Sequence, residues 1–244
     1  MVEYENLSRY YQKLILDLEY EKWTDYLVSV IKKYTSFTTG IDVGCGTGIF
    51  TRKLKKSGYK VTGVDISSDM LSVAKDLTEK EKLSINYLQT DMRSLKSFEK
   101  VDFITVVNDG LNYVPHKDVK RTFSCFSKCL KKGGVLLFDI STEYKFQNVL
   151  SGNMYGDDDE KLSYIWLSEY SSKDKTLDIN VTFFEKVGEL YKRYEERQIQ
   201  YAHTQTDIEK ALVDSGFEII SITNALGNEI ALNEHRLVFT AIKK

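Results

Sequence analysis

The sequence of 244 residues is poor in the residues that cross-link a chain, interrupt it or hold metals. It contains one proline, three cysteines and three histidines. A single proline excludes a proline-rich linker. The cysteines, Cys45, Cys125 and Cys129, form neither a Cys-x-x-Cys pair nor a cluster with histidine, which argues against a structural zinc site. An odd and low cysteine count is typical of a reducing compartment, so we expect a cytoplasmic protein without a bound metal.

Neither a charge excess nor a long apolar run is present. The 34 basic and 36 acidic residues give a net charge of −2, so the chain lacks the strong positive charge of a general nucleic-acid-binding protein. No apolar run approaches the roughly 18 residues that a membrane-spanning helix requires. The polar residues 1–6 also lack the apolar core of a signal peptide. We therefore expect a soluble protein that binds neither membranes nor nucleic acids.

Apolar strands and amphipathic helices alternate over the first 141 residues. The composition, 42% hydrophobic and 29% charged, is that of a globular protein with one large domain, with or without an insertion. After a helix predicted over 7–34, the pattern predicts strands at 41–43, 59–65, 85–88, 102–107 and 135–140, and helices at 49–56, 69–77 and 117–130. Such alternation predicts an open parallel sheet with right-handed crossovers.

The alternation stops after the fifth strand. Three strand-like segments follow one another at 161–170, 176–187 and 189–202 without intervening helices, which predicts a small antiparallel sheet. A helix then begins at a capping box that starts with Thr206, and two strands at 217–222 and 236–242 close the fold.

We therefore predict an α/β fold, a Rossmann-like open parallel sheet with an antiparallel final strand. Residues 1–141 and 205–244 form this domain, and residues 142–204 form an inserted antiparallel β subdomain. This inserted range holds eight basic and twelve acidic residues, and a negative surface argues against a nucleic-acid backbone as the substrate.

A glycine-rich segment, Asp42-Val43-Gly44-Cys45-Gly46-Thr47-Gly48, lies between the first of these strands and the next helix. Glycines there permit a tight turn and a close approach of a ligand, and the helix N-terminus offers free N–H donors. The dinucleotide-binding pattern Gly-x-Gly-x-x-Gly does not fit, because Ile49 occupies the third glycine position. An acid also follows each of the next two strands, at Asp65 and Asp91. An acid in the position of Asp65 can accept two hydrogen bonds from a ribose diol.

The spacing Asp-x-Gly-x-Gly-x-Gly with these two acids resembles motif I and its following motifs in class I S-adenosylmethionine (SAM)-dependent methyltransferases. The resemblance implies that SAM is the cofactor, with S-adenosyl-L-homocysteine as its product. It implies that the glycine loop contacts the methionine end and ribose, that Asp65 binds the ribose, and that Asp91 binds the adenine amine. The cofactor-binding residues implied are Asp42, Gly44, Gly46, Gly48, Asp65, Met70, Asp91, Met92 and Asn108.

Two regions outside these motifs, the N-terminal segment and the insertion, also resemble known subgroups of the family. Tyr11 matches a tyrosine in the N-terminal segment of small bacterial members, although Gln12 stands where those members have aspartate. An insertion after strand five resembles that of sugar N,N-dimethyltransferases and glycine N-methyltransferase, in which it covers the substrate. The segment Val107-Asn108-Asp109-Gly110 after strand four lacks the motif typical of nucleic-acid base methylation.

Residues near the methyl group are harder to identify, because a neutral amine needs only a lone pair whereas a hydroxyl needs a base. The catalytic candidates are Tyr11, Asp139 and His203, and Trp166, Arg193 and Tyr194 are candidates for a lid. Tyr11 alternatively packs on the sheet, Asp139 caps the next helix, and His203 is a hinge hydrogen-bonding residue.

We predict a methyltransferase, monomeric or homodimeric, that acts on an N or O atom of a small molecule. The alternatives are a SAM-binding protein without transferase activity, a nicotinamide enzyme, or a methyltransferase for RNA or protein.

Overall fold

The computed structural model describes residues 18–34, 38–97 and 99–244. Tyr11 and Gln12 lie outside the described residues, as does the first part of the helix predicted from residue 7. The longer helices are α1 (Leu18–Tyr34), α2 (Ile49–Lys56), α3 (Ser68–Lys80), α4 (Val119–Cys129) and α5 (Gln205–Asp214), and a short helical segment, Glu143–Lys145 and Phe146–Leu150, follows the fifth strand of the main sheet. No helix within these ranges is both long enough and apolar enough to span a bilayer.

Seven strands form the main sheet. They are β1 (Thr39–Val43), β2 (Lys60–Asp65), β3 (Asn86–Gln89), β4 (Val101–Val106), β5 (Leu130–Ser141), β10 (Phe217–Thr223) and β11 (Arg236–Lys243). Their order is β3-β2-β1-β4-β5-β11-β10, in which β11 runs antiparallel to both of its neighbours and the pairs from β3 to β5 are parallel. The predicted fold class, an open parallel sheet with an antiparallel final strand, is confirmed.

The core lies on both sides of this sheet, and β4 shows why its strands are continuous apolar runs. Phe103 packs with Trp23 and Leu27 of α1 on one side. The next residue, Ile104, packs with Phe123 of α4 on the other side. Because successive side chains of a strand point to opposite faces, a strand covered on both faces needs apolar residues throughout.

Four further strands form a separate antiparallel sheet in the order β6-β7-β8-β9. They are β6 (Met154–Asp158), β7 (Leu162–Ser171), β8 (Thr176–Val187) and β9 (Leu190–Tyr201). The prediction missed β6, because all five of its residues are exposed and an edge strand without a buried face has no apolar alternation. The prediction of the cap of α5 was also wrong. Thr204, and not Thr206, is the N-cap, and its Oγ1 accepts a hydrogen bond of 3.1 Å from the backbone N–H of Asp207.

One buried amide joins the two sheets. Asn112 lies in a short turn (Gly110–Tyr113) that follows β4, and its side chain is inaccessible to solvent. Its Nδ2 donates to the carbonyl oxygens of Ser141 at 3.1 Å and Tyr201 at 3.0 Å, and its Oδ1 accepts from the backbone N–H of Ser141 at 2.9 Å. Asn112 therefore fixes the end of β9 beside the turn that follows β4.

Candidate functional site

The glycine loop between β1 and α2 requires glycine at three positions. Gly44, Gly46 and Gly48 have φ values of +67°, +53° and +73°, in the left-handed region that other residues rarely adopt. At Gly48 a Cβ atom would also lie 2.5 Å from Oη of Tyr87. The loop thus presents backbone and no side chains from these residues.

Asp42 supports this loop from below. Its side chain is fully buried, and its oxygens accept hydrogen bonds from Oγ1 of Thr51 at 2.6 Å and of Thr105 at 2.8 Å. Burial raises the pKa of Asp42 to about 6, and the two threonine bonds oppose that rise. Asp42 therefore joins β1 to α2 and β4 and does not reach the surface of the loop.

A cavity of about 440 Å³ lies over the carboxyl ends of the parallel strands, where open α/β sheets bind their ligands. Seven of the nine residues predicted to bind cofactor line it: Gly44, Gly46, Asp65, Met70, Asp91, Met92 and Asn108. The other two, Asp42 and Gly48, lie behind this lining. The prediction therefore brought together residues that the chain separates by up to 64 positions.

Asp65 is held at the end of β2 by the loops on either side of it. One carboxylate oxygen accepts from the backbone N–H of Gly46 at 2.8 Å, and the other accepts from that of Ser67 at 2.9 Å. Burial raises its pKa. Each carboxylate oxygen can accept a second hydrogen bond, so Asp65 keeps acceptor capacity toward the cavity.

Asp91 contacts a cation that the sequence analysis did not single out. Its two oxygens lie 3.0 and 2.8 Å from Nε of Arg93, which also lines the cavity and lies 3.5 Å from Asp118. Hydrogen bonds from Arg93 lower the pKa of Asp91. The spacing of an acid and an arginine two residues apart was the available signal for this pair.

A second group of lining residues comes from the turns after β4 and from the inserted sheet. These are Tyr113, Val114, Pro115, Arg197, Ile199 and Tyr201. Arg197 forms a two-point ion pair with Asp178, with Nε–O distances of 2.9 and 3.1 Å. The sequence did not reveal this group, because β9 reverses the usual pattern: Ile199 is 42% exposed, whereas its polar neighbours Gln198 and Gln200 are buried.

The inner face of the inserted sheet carries buried polar atoms among apolar side chains. Oη of Tyr113 donates to Oε1 of Gln198 at 2.8 Å, which leaves the amide nitrogen of Gln198 as a donor. Within the described part of the chain, this nitrogen and the indole nitrogen of Trp166 are buried without a hydrogen-bond partner. Trp166 pairs with Val181 and Val181 pairs with Glu196, so Trp166 and Gln198 lie on one face of the sheet in adjacent rows.

The two described catalytic candidates lie outside the cavity lining. Asp139 is fully buried under it and accepts hydrogen bonds from the backbone N–H groups of Asn108 at 2.7 Å and Asp109 at 3.0 Å. It neither faces the cavity nor caps a helix. His203 is buried, with Nδ1 3.1 Å from Nδ1 of His116 and Nε2 3.3 Å from the carbonyl oxygen of Leu111.

Through these contacts His203 joins the end of the inserted range to the turns after β4. Burial, and then the neighbouring His116, lower its pKa to about 4, so the ring is neutral at pH 7. It lines a different cavity of about 480 Å³, between the base of the inserted sheet and α5. Of the lid candidates, Trp166 and Tyr194 pack in the inserted sheet's apolar cluster, and Arg193 is exposed beside Glu195. Among the described residues, no group of three or more His, Cys, Asp or Glu side chains is arranged to hold a metal ion.

Comparisons with known proteins agree with this geometry. The family described as "Methyltransferase domain" matches residues 41–134, which include the glycine loop, Asp65 and Asp91. A protein of Geobacillus sp. (strain WCH70) named "Putative methyltransferase" is 31% identical, and the alignment covers 99% of each chain.

Solved structures give the same result. The crystal structure of a SAM-dependent methyltransferase from Clostridium acetobutylicum has 30% identity and a TM-score of 0.88, with 98% of each chain covered. The sugar N-methyltransferase KedS8 from Streptoalloteichus, at 17% identity and a TM-score of 0.81, shares the fold over 100% of this chain and 94% of its own.

Proposed function

Because the chain belongs to the class I SAM-dependent methyltransferases, we propose that it methylates a nitrogen or oxygen atom of a small-molecule acceptor. SAM is its cofactor, as in the methyltransferases to which it is similar. The observation that carries the proposal is that one cavity is lined both by the glycine loop with Asp65 and by β9 of the inserted sheet. A donor and an acceptor molecule can therefore meet in one cavity.

The lining of the cavity fits SAM. The glycines leave their backbone open to a close approach, and the free acceptor capacity of Asp65 suits the ribose diol. Met70 and Met92 offer apolar surface for the adenine ring, and Asn108 lies where the methionine portion would bind. We assign Asp91 to the adenine amine, which requires that its carboxylate be shared with Arg93 or released by it.

SAM supplies a methyl group already activated on a sulfonium, so the protein's task is to position the acceptor in line with it. Nitrogen is the acceptor atom that the lining supports better. Among the described residues that line the cavity there is no histidine, and the two carboxylates, Asp65 and Asp91, are already hydrogen-bonded by backbone or Arg93. An amine that arrives neutral needs no base, whereas a hydroxyl does.

We further propose that residues 142–204 form a subdomain that covers the acceptor and selects it. Two observations support this role. Arg197, Ile199 and Tyr201 of β9 border the cavity, and Tyr113, which also lines it, is joined to β9 by the hydrogen bond from its Oη to Gln198.

The test is binding followed by transfer. Isothermal titration calorimetry should show binding of SAM and S-adenosylhomocysteine but not of NAD. Asp65→Ala should weaken SAM by roughly 10-fold to 100-fold, because a charge-assisted hydrogen bond is worth about 1.5–3 kcal/mol. The matched control is Asp76→Ala, an exposed aspartate on α3, which should bind SAM like the wild type.

Methyl-labelled SAM, offered with separate fractions of small metabolites, RNA and protein, then identifies the acceptor class. Label that enters only the small-molecule fraction supports the proposal. Label in RNA or protein alone, or SAM binding without transfer to any fraction, contradicts it.

A further inference from the structure

The chain adopts an unfavourable conformation at the rim of the cavity, directly after β4. Asn108 and Asp109 have φ values of +60° and +62°, so two consecutive residues with side chains lie in the left-handed region. That region is disfavoured for residues other than glycine, and a pair of them persists only where the surroundings hold it. Asn108 and Gly110, the residues on either side of Asp109, both line the cavity. The strained turn therefore forms part of the cofactor site.

Asp139 is the group that holds this turn. One of its oxygens accepts from the N–H of Asn108 and the other from the N–H of Asp109, so each strained residue has its own bond to the carboxylate. Asp139 lies on β5, the strand that pairs with β4, and its side chain is fully buried. Because no water reaches it, these bonds have no replacement if the carboxylate is lost.

Arg236 of β11 completes the arrangement. Its guanidinium contacts Asp139 and lies 2.9 Å from Oδ1 of Asp109, so one cation bridges two carboxylates. Lys145 lies 3.8 Å from Asp109, which adds a second positive charge. The guanidinium also stacks on the ring of Trp23 at 4.8 Å. The turn is therefore connected through Arg236 to α1 on the opposite side of the sheet.

The charges of this group are unequal. Burial raises the pKa of Asp139 to about 6, against the opposing effect of Arg236. For Asp109 burial acts in the same direction, but Arg236 and Lys145 outweigh it and lower the pKa to about 2. Both carboxylates are thus charged at pH 7.5. On acidification Asp139 takes up a proton first, and a protonated oxygen is a poor partner for the N–H groups of the turn.

We propose that Asp139 and Arg236 are positioning residues that hold the Asn108–Asp109 turn in the conformation that receives the cofactor. This inference rests on the proposed function, because the ligand of the turn is SAM. Neither carboxylate oxygen of Asp139 faces the cavity, so Asp139 acts through the turn and is not a catalytic residue.

The first test is the binding of S-adenosylhomocysteine, measured by titration calorimetry at pH 7.5. Asp139→Asn keeps the shape but turns an NH₂ group toward a backbone N–H, and we expect affinity to fall at least tenfold. Arg236→Lys keeps the positive charge but not the bridge between the two carboxylates, and it should lose less affinity than Asp139→Asn. Asp214→Asn, at the surface ion pair with Lys120, is the matched control and should bind like the wild type.

The second test is the pH profile of the same affinity between pH 7.5 and 5. The wild type should lose affinity as the pH falls through about 6. The ratio of its affinity to that of Asp139→Asn, in which any titration of the ligand cancels, should fall toward one at pH 5. In Arg236→Lys the midpoint should move to higher pH, because an ammonium group cannot contact both carboxylates as the guanidinium does and so stabilises the ionised Asp139 less. Asp42 also titrates near pH 6 but does not contact Arg236, so this shift distinguishes the two groups.

The outcomes separate the two proposals. If the wild type binds neither SAM nor S-adenosylhomocysteine, the proposed function fails. If the wild type binds both, but Asp139→Asn binds equally well and the profile is unchanged, only the positioning role is overturned. If Asp139→Asn does not fold, the profiles of the wild type and Arg236→Lys decide. A wild-type affinity independent of pH, or a midpoint that does not move, then overturns the inference.

Discussion

The two sheets treat their buried polar groups differently. Under the cavity, Asp42 and Asp139 each have partners for both carboxylate oxygens, and those partners belong to the chain itself. On the inner face of the inserted sheet, the buried nitrogens of Gln198 and Trp166 have none among the described residues. A polar group that is buried and bonded rigidifies its surroundings, whereas one that is buried and unbonded costs stability until a ligand reaches it. The two carboxylates under the cavity are thus bonded within the protein before any ligand binds, whereas Gln198 and Trp166 on the inserted sheet, and Oγ1 of Thr47 in the glycine loop, have polar atoms that are buried without a partner among the described residues.

The largest expected effect tests how closely the glycine loop is packed. Gly48→Ala introduces a Cβ in a left-handed residue and places it 2.5 Å from Oη of Tyr87. We expect the free energy of unfolding, measured in urea, to fall by about 3–4 kcal/mol from backbone strain together with overpacking. Gly188→Ala is the matched control, since its φ is +65° and a Cβ there meets no atom within 4 Å. It should cost only about 1–2 kcal/mol. Equal losses would show that the clash at Gly48 is relieved without cost.

A second prediction concerns the ionisation of Asp42, which is buried under the glycine loop. The pKa of Asp42 is about 6 in the folded protein and 3.8 in an unperturbed carboxyl, so the folded state binds more protons between these values. The contribution of Asp42 to stability is therefore largest below pH 3.8 and is lost as the pH rises through 6. Asp42→Asn lacks this loss.

The measurement compares urea unfolding of the two proteins at pH 4 and pH 7.5. The free energy of unfolding of Asp42→Asn, relative to the wild type, should rise by about 2–2.5 kcal/mol between these conditions. A difference that is constant with pH would mean that Asp42 titrates alike in the folded and unfolded states. The buried carboxylate of Asp42 would then not distinguish the main sheet from the inserted sheet electrostatically.

The smallest effects compare a bonded with an unbonded group directly. Thr51→Val removes the hydroxyl that donates to Asp42 at 2.6 Å and should lower the free energy of unfolding by about 1–3 kcal/mol. Trp166→Phe removes an indole N–H that has no partner among the described residues, and the loss should stay below about 1 kcal/mol. Thermal unfolding of both variants without ligands provides the measurement. A larger loss from Trp166→Phe than from Thr51→Val would contradict the distinction between the sheets.

The features that could be predicted from the sequence depend on residues that are close together in the chain or on the topology of the parallel sheet. The central strands β4 and β5 were predictable because burial on both faces leaves continuous apolar runs, as at Phe103 and Ile104. The glycine loop was predictable because its left-handed residues are consecutive in the chain. Their meeting with Asp65 at one cavity followed from topology, since parallel strands end at one edge of the sheet.

What could not be predicted depends on contacts between distant positions. Asp139 was a catalytic candidate because it ends a strand, but its partner Arg236 lies 97 residues away and the N–H groups it binds follow another strand. Asn108 and Asp109 are residue types that adopt the left-handed region more often than others, but the local sequence does not indicate that Asp139 of the neighbouring strand binds both of their N–H groups. The polar residues that β9 turns inward were equally hidden, because Gln198 is buried where alternation predicts exposure.

The bonds of Asn112 have a mechanical consequence for access to the cavity. They fix the base of β9 at Tyr201, while Leu190 at the other end of the strand is 75% exposed. A strand of 12 residues is about 36–40 Å long at about 3.3 Å per residue. A rotation of the inserted sheet by about 5° about this base would displace its far end by about 3 Å, on that strand spacing. Bending of the sheet beyond Gln198 would move this far end while the bonds of Asn112 to Tyr201 and of Tyr113 to Gln198 both stay formed.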